Sequence, residues 1–242
     1  MKKTLIESLI EKGYDSKKAK SLLMAGNVKV NDEVETLPNM KVLPEDIISI
    51  KEQKEYVSRG AYKLLEAIKL FSLNFDNKVI LDIGSSTGGF TQVAIQNGAK
   101  HVYSLDSGTN QLDYSLRVNP RVTSLEKTNL KEINKELFKH KIDFAVCDVS
   151  FISSKNVFKV LSEQLDNIPL MLLIKPQFEA NSNQVEEGGF VPESLHKEII
   201  EKVLNYAKEF GYYLSKIDKS PIEGGVSKNI EYISLFEKES NE

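Results

Sequence analysis

The segment Val79–Thr91, VILDIGSSTGGFT, brings together residues whose types and spacing could hold a nucleoside cofactor. A short apolar run reaches Asp82. Gly84 then leads into Ser85 and Ser86, and Gly88 and Gly89 stand paired ahead of Phe90, Val93, Ala94 and Ile95, which recur at helical spacing. Strand, glycine turn and helix start form the first unit of a doubly wound α/β domain, where a ligand binds outside the carboxyl ends of the strands. A dinucleotide would call for G-x-G-x-x-G, with its pyrophosphate against the backbone and the helix N-terminus. Here an acid comes first and the glycines pair at the helix start. That order suits S-adenosylmethionine, with Asp82 near the methionine ammonium and Gly84, Ser86, Gly88 and Gly89 passing close under the ligand. The plainer alternative is a glycine-rich turn that binds nothing.

Further candidates stand at the ends of the strands that follow. Asp106, in LDSGTNQL, is placed to accept hydrogen bonds from ribose hydroxyls, or else to cap a helix. Asn129, in EKTNL, could meet an adenine edge or be an ordinary loop asparagine. Asp148, in CDVSFIS, stands where methyltransferases face the methyl group. It lacks the Asn/Asp-Pro-Pro-aromatic turn of enzymes that methylate exocyclic amines, which argues against an amine acceptor. Lys175, in LLIKPQFE, closes an apolar strand, so partial desolvation could make it a base or an electrostatic stabiliser rather than a solvent-facing terminator. Lys63 in SRGAYKL and Glu231 in GGVSKNIEY add two charges at distant points of the chain.

The elements that must position these residues alternate. Strands are predicted at 78–83, 101–105, 122–125, 142–147, 170–174, 212–217 and 230–236, with helices between most of them, the longest over about 193–210. This spacing predicts a mostly parallel sheet of seven strands whose last two form an antiparallel hairpin. The stretch Pro176–Pro192, with Gly188-Gly189, reads as a long irregular loop and a substrate-side lid. The chain divides near residue 55. Ahead of that point, Leu5, Ile6, Leu9 and Ile10 mark one helix, stopped by Gly13. Asp15 or Ser16 caps a second helix carrying Ala19, Leu22 and Leu23, which ends before Gly26. Val28 and Val30 then alternate into an Asn31-Asp32 turn and Val34, and residues 46–50 close a small α+β module.

Composition narrows the function classes. The chain has 242 residues, 40% of them hydrophobic and 28% charged, which is ordinary for a soluble globular protein. No apolar run approaches the ~20 residues of a membrane span. Glu7 interrupts any signal-peptide core. Cys147 is the single cysteine and the three histidines are scattered, so neither a disulfide nor a metal site is expected, and the reading is cytoplasmic. The net charge of −3 argues against general nucleic-acid binding, but its distribution is polarised. Residues 1–30 hold seven lysines against three acids, and residues 31–55 hold three lysines against seven acids. The leading segment could therefore offer a positive end to phosphates.

The pattern A-x-x-L-L-x-x-G-x-V-x-V-N at Ala19–Asn31 resembles the small RNA-binding module shared by a ribosomal small-subunit protein and several RNA-modifying enzymes. The module's usual opening arginine and aspartate are replaced here by Lys2, Lys3 and Thr4. With YVSRGAYKL, LDIGSSTGGFT, LDSGTNQL, CDVSFIS, LIKPQFEA, SPIEGG and NIEYI, the whole chain resembles the TlyA family within the FtsJ-like ribose 2′-O-methyltransferases. The resemblance implies an RNA-binding domain over 1–55 and a Rossmann-like class I methyltransferase domain of seven strands over 56–242, with S-adenosylmethionine as cofactor. It implies a Lys-Asp-Lys-Glu tetrad at Lys63, Asp148, Lys175 and Glu231. Lys17, Lys18 and Lys20 on the second helix of the positive segment, together with Arg59, are the candidate RNA contacts. The substrate that the resemblance implies is a cytidine ribose in 16S or 23S ribosomal RNA, reached on the RNA or a ribosomal subunit. Members have also been described as hemolysins, so a membrane-active protein and a non-catalytic RNA binder are the alternatives. The family's usual glycine-asparagine before the last acid is Lys228-Asn229 here.

Overall fold

In a computed structural model that describes residues 3–51, 55–166, 168–225 and 227–238, the chain divides into two units, Met1–Glu55 and Tyr56–Glu242. In the first unit, β1 (Lys3–Thr4) leads into α1 (Leu5–Glu11) through a capping box. Thr4 Oγ1 accepts from the Glu7 amide while the Glu7 carboxylate accepts from the Thr4 amide. Gly13 follows α1 at φ +97°, and Asp15 caps α2 (Ser16–Met24) by accepting from the Lys18 amide. Between β2 (Val28–Val30) and β3 (Glu33–Val34), Asn31 and Asp32 both take positive φ, as a two-residue hairpin turn requires. β4 (Lys41–Val42) pairs with β1, and β5 (Ile48–Ile50) pairs with β2. The last strand begins at Ile48 rather than at residue 46. Asp46 is taken up instead by hydrogen bonds from the Leu43 amide and Asn31 Nδ2. Leu5, Leu9, Ala19, Leu22, Leu23, Val28, Val30 and Val42 form the core of this unit, and Lys17, Lys18 and Lys20 lie exposed on α2.

The second unit runs α3 (Gly60–Phe71), β6 (Val79–Ile83), α4 (Gly89–Gln96), β7 (His101–Leu105), α5 (Tyr114–Arg117), β8 (Val122–Leu125) and β9 (Phe144–Cys147). It continues with α6 (Ser154–Gln164), β10 (Leu170–Ile174), α7 (Pro176–Glu179), α8 (His196–Glu209), β11 (Tyr212–Lys219) and β12 (Tyr232–Lys238). The sheet order is β11-β12-β10-β9-β6-β7-β8, with β12 antiparallel to both its neighbours and the remaining pairs parallel. The predicted sheet and closing hairpin are therefore present. The hairpin ladder extends to Lys219 opposite Tyr232, shifting both strands later than expected. β9 starts at Phe144, and Asp143 just ahead of it meets Val79 twice, its amide donating to the Val79 carbonyl and its carboxylate accepting from the Val79 amide.

Alternate residues of each central strand enter different cores. Leu81, Ala145, Leu170 and Leu172 pack with Val157, Phe158 and Leu161 of α6 and Val203 of α8. Ile80, Val146, Met171 and Leu173 pack on the other face with Ala61 and Leu64 of α3 and Val93 and Ala94 of α4. The chain passes from β6 outward to β8 and then back to β9 on the other side of β6. The resulting switch point opens a crevice at the carboxyl ends of β6 and β9.

The glycines close that crevice tightly. A Cβ on Gly84, which has φ +81°, would stand 2.8 Å from the Asp148 carbonyl oxygen, so the ends of β6 and β9 approach only because it has none. A Cβ on Gly89 would lie 2.2 Å from Ser58 Oγ and 2.9 Å from the Ala61 amide nitrogen, so Gly89 admits the start of α3 against α4. Alanine in a helix interior ordinarily gains about 1 kcal/mol over glycine. Here the nearest backbone cannot swing aside, and overpacking of ~1–3 kcal/mol outweighs that gain. Gly89→Ala is therefore expected to lower the urea midpoint, and a midpoint at or above the parent's would contradict this packing.

Candidate active site

Four ionisable side chains from four elements meet at the crevice. Lys63 rises from the first turns of α3, Asp148 follows β9, Lys175 follows β10, and Glu231 precedes β12. Lys63 Nζ lies 2.6 Å from Glu231 Oε2 and 3.6 Å from Asp148 Oδ2. Lys175 Nζ lies 2.5 Å from Asp148 Oδ1, an ion pair without hydrogen-bond alignment, and donates to Ser150 Oγ at 3.2 Å. Lys63, Lys175 and Glu231 are buried and Asp148 is partly so. Two ammonium groups and two carboxylates therefore neutralise one another, which is the condition for holding charge under cover.

Two cavities meet at Asp148. The first, of about 340 Å³, is bounded by Lys63, Asp148, Ser150 and Lys175, by Ser58–Gly60, by the glycine loop and by Ile222, Glu223 and Gly225. The second, of about 190 Å³, is bounded by Ile83, Gly84, Ser86, Asp106, Asn129, Leu130 and Val149. Gly84, Ser86, Asp148 and Ser150 line both.

The second cavity presents polar groups of the kind a nucleoside requires. Asp106 accepts from the Ser86 and Gly108 amides at 2.8 and 2.7 Å, which orders the loop, and a carboxylate with about four acceptor positions retains some for ribose hydroxyls. Asn129 caps a single 3-10 turn by accepting from the Lys131 amide, and its Nδ2 has no partner among the described residues. Asp82 lines neither cavity. It is fully buried beneath the loop, where Thr91 Oγ1 donates to Oδ2 at 2.6 Å, and its Oδ1 has no protein donor. Burial pushes this carboxyl up to about 7, opposed by the Thr91 bond and reinforced by Asp148. Gly88 and Gly89 also serve packing. A Cβ on Gly88 would stand 2.4 Å from Leu116 Cδ1 of α5 and Gly88 borders neither cavity, while Gly89 borders the first. Of the predicted RNA contacts, Arg59 is exposed on the rim of the first cavity.

Several participants carry no sequence signal of their own. Ser150 is an ordinary loop serine until Lys175 reaches it. Phe151 follows at φ +63°, 88% exposed, with its ring 4.7 Å from that of Phe178, which in turn lies under Lys175 Nζ at 6.0 Å. The expected lid at Pro176–Pro192 is α7 followed by short 3-10 turns, tied down rather than irregular. Asn229 accepts from the Val191 amide and donates to the Gly189 carbonyl. His196 is buried between the Val191 carbonyl and the Tyr232 hydroxyl. Glu179, its carboxyl raised by burial, accepts from Ser153 Oγ and the Ser154 amide and so clamps the start of α6. Lys228, standing where the resemblance leads one to expect glycine, adopts φ +49°, a left-handed conformation that favours glycine.

Known proteins resemble this chain along most of its length. Residues 56–238 match the FtsJ-like methyltransferase family and residues 6–58 match the S4 domain. Hemolysin A of Brachyspira hyodysenteriae is 39% identical over 96% of this chain and 98% of its own. The 16S/23S rRNA (cytidine-2′-O)-methyltransferase TlyA of Mycobacterium tuberculosis is 37% identical over 88% and 81%. A solved structure described as a hemolysin of Streptococcus thermophilus superposes with a TM-score of 0.73 at 38% identity, covering 98% of this chain and 88% of that one. Among the described residues no helix is long and apolar enough to cross a membrane. The chain belongs to the FtsJ-like methyltransferases, enzymes that use S-adenosylmethionine, and it carries an S4 domain ahead of the methyltransferase unit.

Proposed function

We propose that this enzyme methylates a ribose 2′-hydroxyl of ribosomal RNA, that of a cytidine in the 16S or 23S molecule, acting in the cytoplasm on the RNA or a ribosomal subunit. The observation that carries the reading is Lys175 Nζ, bracketed by Asp148 and Ser150 where the two cavities meet. S-adenosylmethionine, when bound, supplies an electrophilic methyl group. A 2′-hydroxyl is a weak nucleophile, so the protein's share is to orient the oxygen and stabilise the charge that develops on it. Lys175 would hold the oxygen, and the released proton would pass to the coupled Lys175–Asp148 pair. Lys63, fixed between Glu231 and Asp148, would anchor the nucleotide and keep the carboxylates from repelling it. Asp106, Asn129, Gly84 and Ser86 would hold the cofactor, while Asp82, fully buried and lining neither cavity, would support the loop from beneath. Phe151 offers an exposed ring on which a base turned out of its stack could lie. Lys17, Lys18 and Lys20 of the S4 domain would contact phosphates.

The same reading predicts two outcomes. Tritiated methyl transfer to separated ribosomal subunits, followed by nuclease-resistance mapping, should place the label on a ribose, whereas label on a base would refute it. Lys175→Ala should reduce transfer by about 10²-fold or more while S-adenosylmethionine binding stays nearly unchanged.

A further inference from the structure

The first cavity holds two charged side chains that the ion-pair network does not use. Lys63 and Lys175 are occupied by Glu231 and Asp148, but among the described residues Arg59 and Glu223 have no ion-pair partner. Both are exposed on its wall. The loop that carries Glu223 is fixed against the site. The Gly224 amide donates to the Asn229 carbonyl at 2.8 Å, the Ser220 amide donates to the Glu231 carbonyl at 2.8 Å, and a Cβ on Gly224 would lie 3.0 Å from Glu231 Oε1. Glu223 is thus held one residue from the buried tetrad, with Ile222 beside it as an apolar wall.

An unpaired carboxylate facing RNA repels phosphate, which Arg59 on the same wall attracts. Glu223 is of use only where the substrate presents N–H donors. The ribose offers its hydroxyl to Lys175, so the remaining donors are on the base. We propose that Glu223 is a specificity-determining residue, its carboxylate accepting from the exocyclic amine of the target base. This proposal rests on the reading of the enzyme as an RNA ribose methyltransferase. A carboxylate accepts well from the N4 amine of cytosine, whereas uracil presents a carbonyl oxygen at that position and is repelled. The glutamate therefore selects an amino-bearing base and excludes uracil.

The test compares matched substrates carrying cytidine or uridine at the mapped target position, using the full-length enzyme. The parent should favour cytidine in kcat/KM by roughly tenfold or more, the size of one good base-edge contact. Glu223→Gln keeps the side chain's shape but offers an NH2 to the uracil O4, so its ratio should fall to near one or below. Glu223→Ala should also lose discrimination, and both variants should bind S-adenosylmethionine as the parent does. A cytidine preference retained in Glu223→Gln would overturn the proposal. Absence of ribose methylation by the parent on either substrate would instead defeat the underlying functional reading, and this proposal with it.

Discussion

Neither lysine nor carboxylate of the tetrad could remain charged and buried by itself, and the rest of the methyltransferase unit is arranged around their mutual neutralisation. Lys63 and Glu231 are 168 residues apart in sequence and 2.6 Å apart in space. Removing one partner from such a network leaves an uncompensated buried charge, which costs more than the intact pair contributes. The four elements that carry the ions must therefore converge to within hydrogen-bond distance before any of them is stable there. Function and fold share this constraint. The same closeness that neutralises the charges also preorganises a cation beside the place where a nucleophilic oxygen would develop negative charge.

The glycines of the Asp82–Gly89 loop serve this convergence as much as they serve a ligand. Gly84 lets the end of β6 pass against the backbone of Asp148, and Gly89 lets α3, with Lys63 on its first turns, come down on α4. Beneath them Thr91 donates to Asp82 and is itself bonded to Ser104 at 2.7 Å, so the polar groups under the loop are nearly all satisfied. The Asp82 oxygen without a donor is the exception, and it lies beneath the loop that a cofactor would cover.

The second half of the site is built by a clasp rather than a lid. Asn229 and His196 tie the chain around Gly189–Val191 to the segment that carries Glu231 and Tyr232, and Glu179 ties α7 to the start of α6. These bonds set the positions of Lys175, Phe178 and Phe151 from outside the pocket. The positive φ of Lys228 shows how firmly the local geometry is held, since an L-residue there costs roughly 1–2 kcal/mol that the surrounding bonds must offset.

Much of this was legible in the chain. The alternation of apolar strands and periodic helices specified a doubly wound sheet, because burial on both faces demands continuous apolar strands such as Leu170–Ile174. Asn31-Asp32, Gly13 and Asp15 each acted locally as their side chains and backbones require. Strand ends were legible less well, because Asp46 turned to the Leu43 amide and the distant Asn31 side chain, and Asp143 to the Val79 amide, partners that the alternation of a strand does not contain. The residue types and motifs of the tetrad were also written in the sequence. Only the tertiary structure decided which lysine faces which carboxylate, that Gly88 and Gly89 pack against neighbours, that Ser150 and Glu223 border the site, and that Phe151 packs on Phe178. Local propensity is a property of a few adjacent residues, whereas burial and charge pairing depend on chain segments that meet only after the sheet has formed.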